Sequence, residues 1–164
     1  MGKRRKGREI VMQSTYASLI SGANLTDTLA DQLGRRESAK ETAEFATQLM
    51  DKVQQHRTEL EQWLHSLVSA NWRPERLGVV EKVILTLGLA ELKFSPEVPY
   101  RVAINEALEL TRRYCDEEAV GFVNGVLDTA ASQVYPDGAA RNCNDPAVDG
   151  SGDNDMKNTE DGGK

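Results

Sequence analysis

The chain has 164 residues, of which 39% are hydrophobic and 28% are charged, a balance typical of one globular domain with a substantial core. No apolar run approaches the roughly 20 residues that a membrane-spanning helix needs, so we expect no membrane association. The formal net charge of −6 argues at first against nucleic acid as a partner.

The termini and the cysteines bear on the compartment. The start of the chain is basic, but no apolar segment of the signal-peptide kind follows it. A transit peptide is an alternative use for these basic residues, although Glu9 lies close behind them. Cys115 falls in the predicted folded part and Cys143 in the predicted tail, so we expect no structural disulfide. Together these features favour the reducing cytoplasm.

Positive charge is concentrated at the start of the chain. Five of the first eight residues are basic. They are Lys3, Arg4, Arg5, Lys6 and Arg8. Segment 137–164, by contrast, holds seven acids and three bases. Since local potential rather than net charge decides where a polyanion binds, the N-terminal cations are candidate phosphate contacts.

The first predicted helix runs from Lys3 to about Ile20. Its expected buried residues are Ile10, Val11, Met12, Tyr16, Ala17 and Leu19. Five cations in the first turns oppose the helix dipole, at a cost of up to about 1 kcal/mol per charge. A bound anion would remove this conflict and release counterions. The alternative is a frayed, solvated basic terminus.

The following helices are expected to complete an N-terminal bundle. Thr26 is the predicted N-cap of a short helix, and a Ser38–Glu41 capping box starts a long helical region. We expect that region to divide near His56. His56 and His65 are nine residues apart, whereas a zinc pair on a helix needs a spacing of four, so no metal site is predicted.

Three helices are predicted over 74–135. The first covers about 75–93, with Gly88 permitting close packing. Glu81 is expected to be partly enclosed, and the alternative is a solvated charge that is paired locally. Pro99 and the acidic residues 116–118 suit the starts of the other two.

Within those last two helices, Asn105 and Asn124 are predicted to be buried amides that bond to neighbouring backbone. Gly125 is expected where another helix or a ligand approaches closely, and Glu109 is expected to pair with Arg113. The fold is therefore predicted to be all-α, with six or seven helices in two adjoining bundles, about 1–70 and 74–135. The folded domain is expected to span 1–136.

Three separated motifs resemble one family. VAINEALEL (102–110) followed by FVNGVLD (122–128) closely resembles the C-terminal signature of the NusB transcription antitermination factors. RLGVVEKVILTLGLAEL (76–92) is similar to the preceding NusB helix, and RRKGREIVMQSTY (4–16) is similar to its basic first helix. The resemblance covers about 1–135, and the motifs occur in the family's order.

This resemblance implies binding of a single-stranded boxA RNA in nascent transcripts, including those of rRNA operons. It also implies a protein partner, NusE, and loading onto RNA polymerase to oppose termination. The candidate RNA-binding residues are Lys3, Arg4, Arg5, Lys6, Arg8, Gln13, Tyr16, Glu118 and Phe122. The candidate partner-binding residues are Glu81, Tyr16 and Phe122. Phe122 is equally compatible with a core position.

Two positions depart from the family. The family often has Arg where this chain has Thr86, and an aromatic residue where it has Ala90, so contacts there are in doubt. No phosphate loop, metal cluster or nucleophile set is present in the sequence, so we expect no enzyme, cofactor or metal. The alternative function is a helical scaffold or homo-oligomerisation protein, such as a homodimer, without specific RNA recognition.

Segment 137–164, here called the acidic tail, is rich in Gly, Asn and Asp. It has too little apolar surface to offset the cost of ordering, which predicts disorder. Because its charge is opposite to that of the N-terminus, one hypothesis is that its acids occupy the basic N-terminus and weaken non-specific RNA binding. The alternative is a solubilising tail.

Overall fold

The computed structural model describes residues 2–71 and 77–137. These residues form seven helices and no strand, which confirms the all-α prediction. The helices are α1 (Lys3–Ser21), α2 (Leu25–Arg35), α3 (Lys40–Gln55), α4 (Arg57–Asn71), α5 (Val79–Phe94), α6 (Tyr100–Tyr114) and α7 (Glu117–Val134). The predicted disorder of the acidic tail lies outside the described residues, apart from Asp137.

Helix starts depend on which side chain reaches a free backbone N–H. Asn24, not Thr26, caps α2 by accepting a hydrogen bond from the Asp27 N–H at 3.2 Å. The predicted capping box is wrong: α3 begins after Ala39 without a side-chain cap, and the Ser38 hydroxyl is buried without a partner among the described residues. The predicted division at His56 is confirmed.

The acidic start of the last helix is confirmed in detail. Asp116 is the N-cap of α7, and its carboxylate accepts a hydrogen bond from the Ala119 N–H at 2.9 Å. Pro99 directly precedes α6 as its N-cap residue. The helix expected over 75–93 is observed from Val79 to Phe94.

One hydrophobic core connects the helices of both halves of the chain. Helix α5 packs against α6 and α7 and also against α1, α3 and α4. A Cβ atom added at Gly88 would lie 3.1 Å from Leu127 Cδ2, so the predicted close packing at Gly88 is confirmed. The boundary between sub-bundles near 70–74 stays a prediction, since 72–76 lie outside the described residues.

Several polar and apolar positions do not have the burial that the sequence predicts. Asn105 and Asn124 are exposed, because the buried stripes of α6 and α7 lie on the opposite sides of these helices. A Cβ atom at Gly125 would have no atom of a described residue within 4 Å, so the close approach predicted there is not observed among these residues. Leu19 is 55% exposed and Tyr16 is 39% exposed, because α1 is uncovered near its C-terminal end.

Within the described parts of the chain, no helix combines the length and apolarity needed to cross a membrane.

Candidate nucleic-acid interface

Helices α1 and α6 run in parallel and are bridged by polar side chains. The Arg5 guanidinium donates hydrogen bonds to both carboxylate oxygens of Glu106, at 2.9 and 3.0 Å. Further along, Arg113 donates to Glu9 at 3.1 Å. A cleft of about 320 Å³ lies between the helices and is lined by Arg5, Glu9, Glu106, Glu109, Leu110, Arg112 and Arg113. We call it the α1–α6 cleft.

Four exposed cations at the start of α1, Lys3, Arg4, Arg5 and Lys6, form what we call the basic surface. Lys3 forms an ion pair with Glu41 at 3.0 Å, and Arg5 forms one with Glu106. Arg4 and Lys6 have no ion pair with any described residue, and the Arg4 guanidinium lies 5.8 Å from the centre of the Phe45 ring. Carboxylates from α3 and α6 thus neutralise part of this charge, and Arg4 and Lys6 remain open to a polyanion.

Arg8 does not belong to the basic surface. It is 5% exposed, and its guanidinium donates to the Glu91 carboxylate at 2.6 and 2.9 Å. Burial raises the pKa of Glu91, although Arg8 opposes that shift. The Arg8 side chain also packs 4.8 Å from the Phe45 ring centre. The predicted phosphate contact by Arg8 does not fit this geometry, because its donors are enclosed and bonded to α5.

The middle of α1 carries a hydrogen-bonded network. Gln13 donates to the Tyr114 hydroxyl at 2.7 Å, and Tyr114 donates to Glu9 at 2.6 Å. Arg36 donates to the side-chain oxygen of Gln13. Burial, and then Glu9, raise the pKa of Tyr114. The Gln13 amide is therefore already engaged with Tyr114 and Arg36, whereas Tyr16, one turn on, is exposed.

The other candidate residues lie where α6 joins α7. Glu118 is exposed on the first turn of α7, and Phe122 lies one turn later, half-buried against the core. Glu81 is half-buried at the start of α5, next to Cys115. Burial, and then the Glu81 carboxylate, raise the pKa of the Cys115 thiol to about 11. Glu81 is thus partly enclosed, as predicted.

The basic surface, the α1–α6 cleft and the α6–α7 junction follow one another along α6. The basic surface lies beside the first half of α6, where Arg5 pairs with Glu106, and the α6–α7 junction at Asp116 lies about 15 Å further along from Glu106 at the helical rise per residue. The predicted Glu109–Arg113 pair is wrong, since Glu109 pairs with Arg112 at 2.7 Å and Arg113 with Glu9. Sequence reasoning missed Tyr114 because no local pattern reports a partner on another helix.

The two departures from the family pattern differ in exposure. Ala90 is fully buried, so it has no surface to offer a partner. Thr86 is half-buried, and its hydroxyl donates to the Lys82 carbonyl at 2.8 Å.

Among the residues that the structure describes, no group of three His, Cys, Asp or Glu side chains is placed to hold a metal ion.

The sequence model of the NusB family matches residues 5–132. This chain belongs to the NusB family. A relative from Myxococcus xanthus, "Transcription antitermination protein NusB", is 37% identical over 135 residues, which is 80% of this chain and 96% of the relative. The protein of the same name from Trichlorobacter lovleyi is 38% identical over 128 residues, covering 78% of this chain and 89% of the relative.

Solved NusB structures share the fold. T. maritima NusB superposes with a TM-score of 0.72 at 27% identity, covering 79% of this chain and 91% of that one. A chain from the "Crystal Structure of Antitermination Factors NusB and NusE in complex with dsRNA" has a TM-score of 0.72 at 28% identity, covering 81% and 98%. Membership of the NusB family confirms the resemblance and agrees with the prediction that the chain is not an enzyme.

Burial, together with the neighbouring Glu81 carboxylate, predicts that the Cys115 thiol reacts slowly. The test uses the full-length chain with Cys143→Ser, so that Cys115 is its single cysteine. At pH 8, alkylation of Cys115 is expected to be about 100-fold slower in the folded chain than in the chain unfolded in urea. The cause is the raised pKa of Cys115. The rate of carbamidomethylation measured by mass spectrometry checks this. Adding Glu81→Gln should speed the folded reaction, and equal rates folded and unfolded would contradict the geometry.

Proposed function

We propose that this chain is an RNA-binding transcription antitermination factor. With NusE it would bind boxA RNA in nascent transcripts, including those of rRNA operons, and keep RNA polymerase processive in the cytoplasm. The observation that carries the proposal is the basic surface leading into the α1–α6 cleft, on a fold that a NusB–NusE–RNA structure shares.

The RNA half of the proposal assigns two kinds of contact. Lys3, Arg4, Arg5 and Lys6 neutralise phosphates and position the strand, a role that carries no sequence information. Base edges and faces are then read further along, near Gln13 and Tyr16, and at the α6–α7 junction by Glu118 and Phe122. Exposed aromatic rings stack on unpaired bases at a typical gain of about 1–3 kcal/mol per base.

The partner half of the proposal is supported by exposed apolar side chains beyond Tyr16. Leu19 is 55% exposed, Ile20 is 65% exposed and Val79 is 45% exposed. They contribute to a groove of about 620 Å³ between the end of α1 and the start of α5, which we call the apolar groove. Contiguous exposed apolar surface of this kind commonly marks a protein-binding site. NusE would contact this region together with Glu81, Tyr16 and Phe122.

Ile20→Asp is expected to weaken NusE binding at least tenfold, since it places a charge in an interface that excludes water. Because Ile20 is exposed, the unfolding midpoint should hardly change. Isothermal titration calorimetry with NusE, without RNA, checks this. Val102→Asp is the matched control, because Val102 is an exposed apolar residue on α6 outside the apolar groove. If Ile20→Asp and Val102→Asp weaken NusE binding equally, the apolar groove is not part of the NusE site.

The deciding experiment for the function is fluorescence anisotropy with two RNA strands of equal composition, one boxA-like and one scrambled. Binding is measured with and without NusE across a salt series. Preference for boxA that increases with NusE supports the proposal. Equal, weak binding to both strands, unaffected by NusE, would overturn it and favour the helical scaffold. A tight homodimer that RNA does not dissociate would favour the scaffold as well.

A further inference from the structure

The acidic tail begins at the end of α7 that packs near the start of α6. Tyr135 follows α7, and its ring stacks on that of Tyr100 with 5.6 Å between the ring centres. Its hydroxyl donates to the Leu92 carbonyl at 3.2 Å. Tyr100 directly follows Pro99, which lines a cavity of about 590 Å³ together with Lys3, Arg4, Arg5 and other residues. The chain therefore enters the acidic tail at the end of the molecule where α1 begins.

Glu97 provides a second link between the basic surface and the start of the acidic tail. Lys52 forms an ion pair with Glu97 at 3.2 Å. Burial raises the pKa of Glu97, but hydrogen bonds and the charges of Lys52 and Arg4 together lower it. Burial and then the charge of Glu97 raise the pKa of Tyr135. One carboxylate thus lies within electrostatic range of both Arg4 and Tyr135.

The acidic tail and the basic surface carry opposite charges, and the tail is long enough to reach that surface. The acidic tail holds seven acids and three bases, while Arg4 and Lys6 have no ion pair among the described residues. The 27 residues after Asp137 span up to about 90 Å when extended, about three times the length of the 19-residue α1 at the helical rise per residue. A tethered segment that can reach its site acts at an effective concentration of order millimolar.

We propose that the acidic tail docks on the basic surface and competes there with nucleic acid. The competition half rests on the proposed RNA-binding function, whereas the docking half does not. Tail carboxylates would pair with Arg4 and Lys6, so that RNA binds only when its own contacts exceed those of the tail. Non-specific strands, which bind through phosphates alone, are disfavoured more than a strand whose bases are also read.

Docking is tested on the full chain with a zero-length carbodiimide cross-linker, which joins a lysine amine to a carboxylate in contact with it. Tryptic peptides are identified by mass spectrometry. Lys3 and Lys6 should cross-link to tail acids, and the products should disappear at about 1 M salt, where the Debye length is about 3 Å. Lys93, adjacent to the residue that Tyr135 contacts, is the proximity control, and Lys82 is the distant control.

The two outcomes are distinct. Cross-links concentrated at Lys3 and Lys6, and reduced by Arg4→Glu, support docking. Tail cross-links that are as frequent at Lys93 or Lys82, or that persist at high salt, would overturn it.

Competition is tested with two full-length variants of equal charge change. The tail variant carries Asp149→Asn, Asp153→Asn and Asp155→Asn. The control variant carries Glu37→Gln, Asp51→Asn and Asp128→Asn, at exposed acids that form no ion pair with any described residue. At low salt the tail variant should bind scrambled RNA about threefold to tenfold more tightly, a size typical of a few screened charge pairs. The control variant should match the unmodified chain.

Equal affinity in all three chains would overturn competition, and so would the same gain in both variants. If none of the chains binds RNA, the proposed function fails and competition fails with it, while the cross-links at Lys3 and Lys6 still decide whether the acidic tail docks.

Discussion

Arg8→Met is expected to destabilise the chain by about 3–5 kcal/mol, the usual result of removing one partner from a buried ion pair. Arg8 and Glu91 are 5% and 3% exposed, and two hydrogen bonds join them. Without Arg8, the Glu91 carboxylate remains buried between α1 and α5 with its charge uncompensated. Urea unfolding followed by circular dichroism measures the loss.

The pH dependence of this variant has a definite sign. Burial already raises the pKa of Glu91 in the folded chain, and loss of Arg8 raises it further. The folded state then binds the proton more tightly than the unfolded state, so stability is lost as the pH rises from about 4 through the folded pKa. Arg8→Met should therefore be less destabilising at pH 5 than at pH 8.

The double variant Arg8→Met with Glu91→Leu separates the ion pair from packing. It should recover most of the lost stability, since replacing both members of a buried pair is often close to neutral. Its salt dependence of RNA binding should equal that of the unmodified chain. A single variant that loses less than about 1 kcal/mol, or a double variant with a reduced salt slope, would return Arg8 to the phosphate-binding set.

The helices could be predicted from sequence because their signals are local. Apolar residues spaced three or four apart, and acids such as Asp116 at a helix start, are fixed within one or two turns. The division at His56 and the close packing at Gly88 follow from such signals. The predicted cap of α2 is wrong because the neighbouring polar side chains Asn24 and Thr26 compete within one turn, and geometry decides between them. The predicted cap of α3 is wrong for another reason, since that helix begins without a side-chain cap.

Only part of the candidate site could be predicted from the sequence, because its ion pairs and hydrogen bonds join residues that are far apart along the chain. Arg5–Glu106 and Arg8–Glu91 join residues 101 and 83 positions apart. A cluster of basic residues shows where positive charge lies, but not which cation is neutralised from another helix. The same limit applies to Leu19, whose exposure depends on how far neighbouring helices extend along α1.

Arg4→Glu with Lys6→Glu is expected to weaken boxA binding about tenfold to a hundredfold at low salt, because it reverses the two cations that have no ion pair among the described residues. For a single strand, each phosphate that the protein no longer neutralises lowers the slope of log affinity against log salt by about 0.7. The slope should therefore fall by about 1.4 if each cation neutralises one phosphate. Anisotropy titrations without NusE measure both quantities.

The matched control is Arg57→Glu with Lys82→Glu, which has the same charge change. Both residues line the apolar groove, near the opposite end of α1, about 25 Å away at the helical rise per residue. If affinity depended on the net charge of the chain, both double variants would bind equally weakly. If the basic surface positions the strand, the control keeps the salt slope of the unmodified chain, and only reversal at Arg4 and Lys6 lowers it.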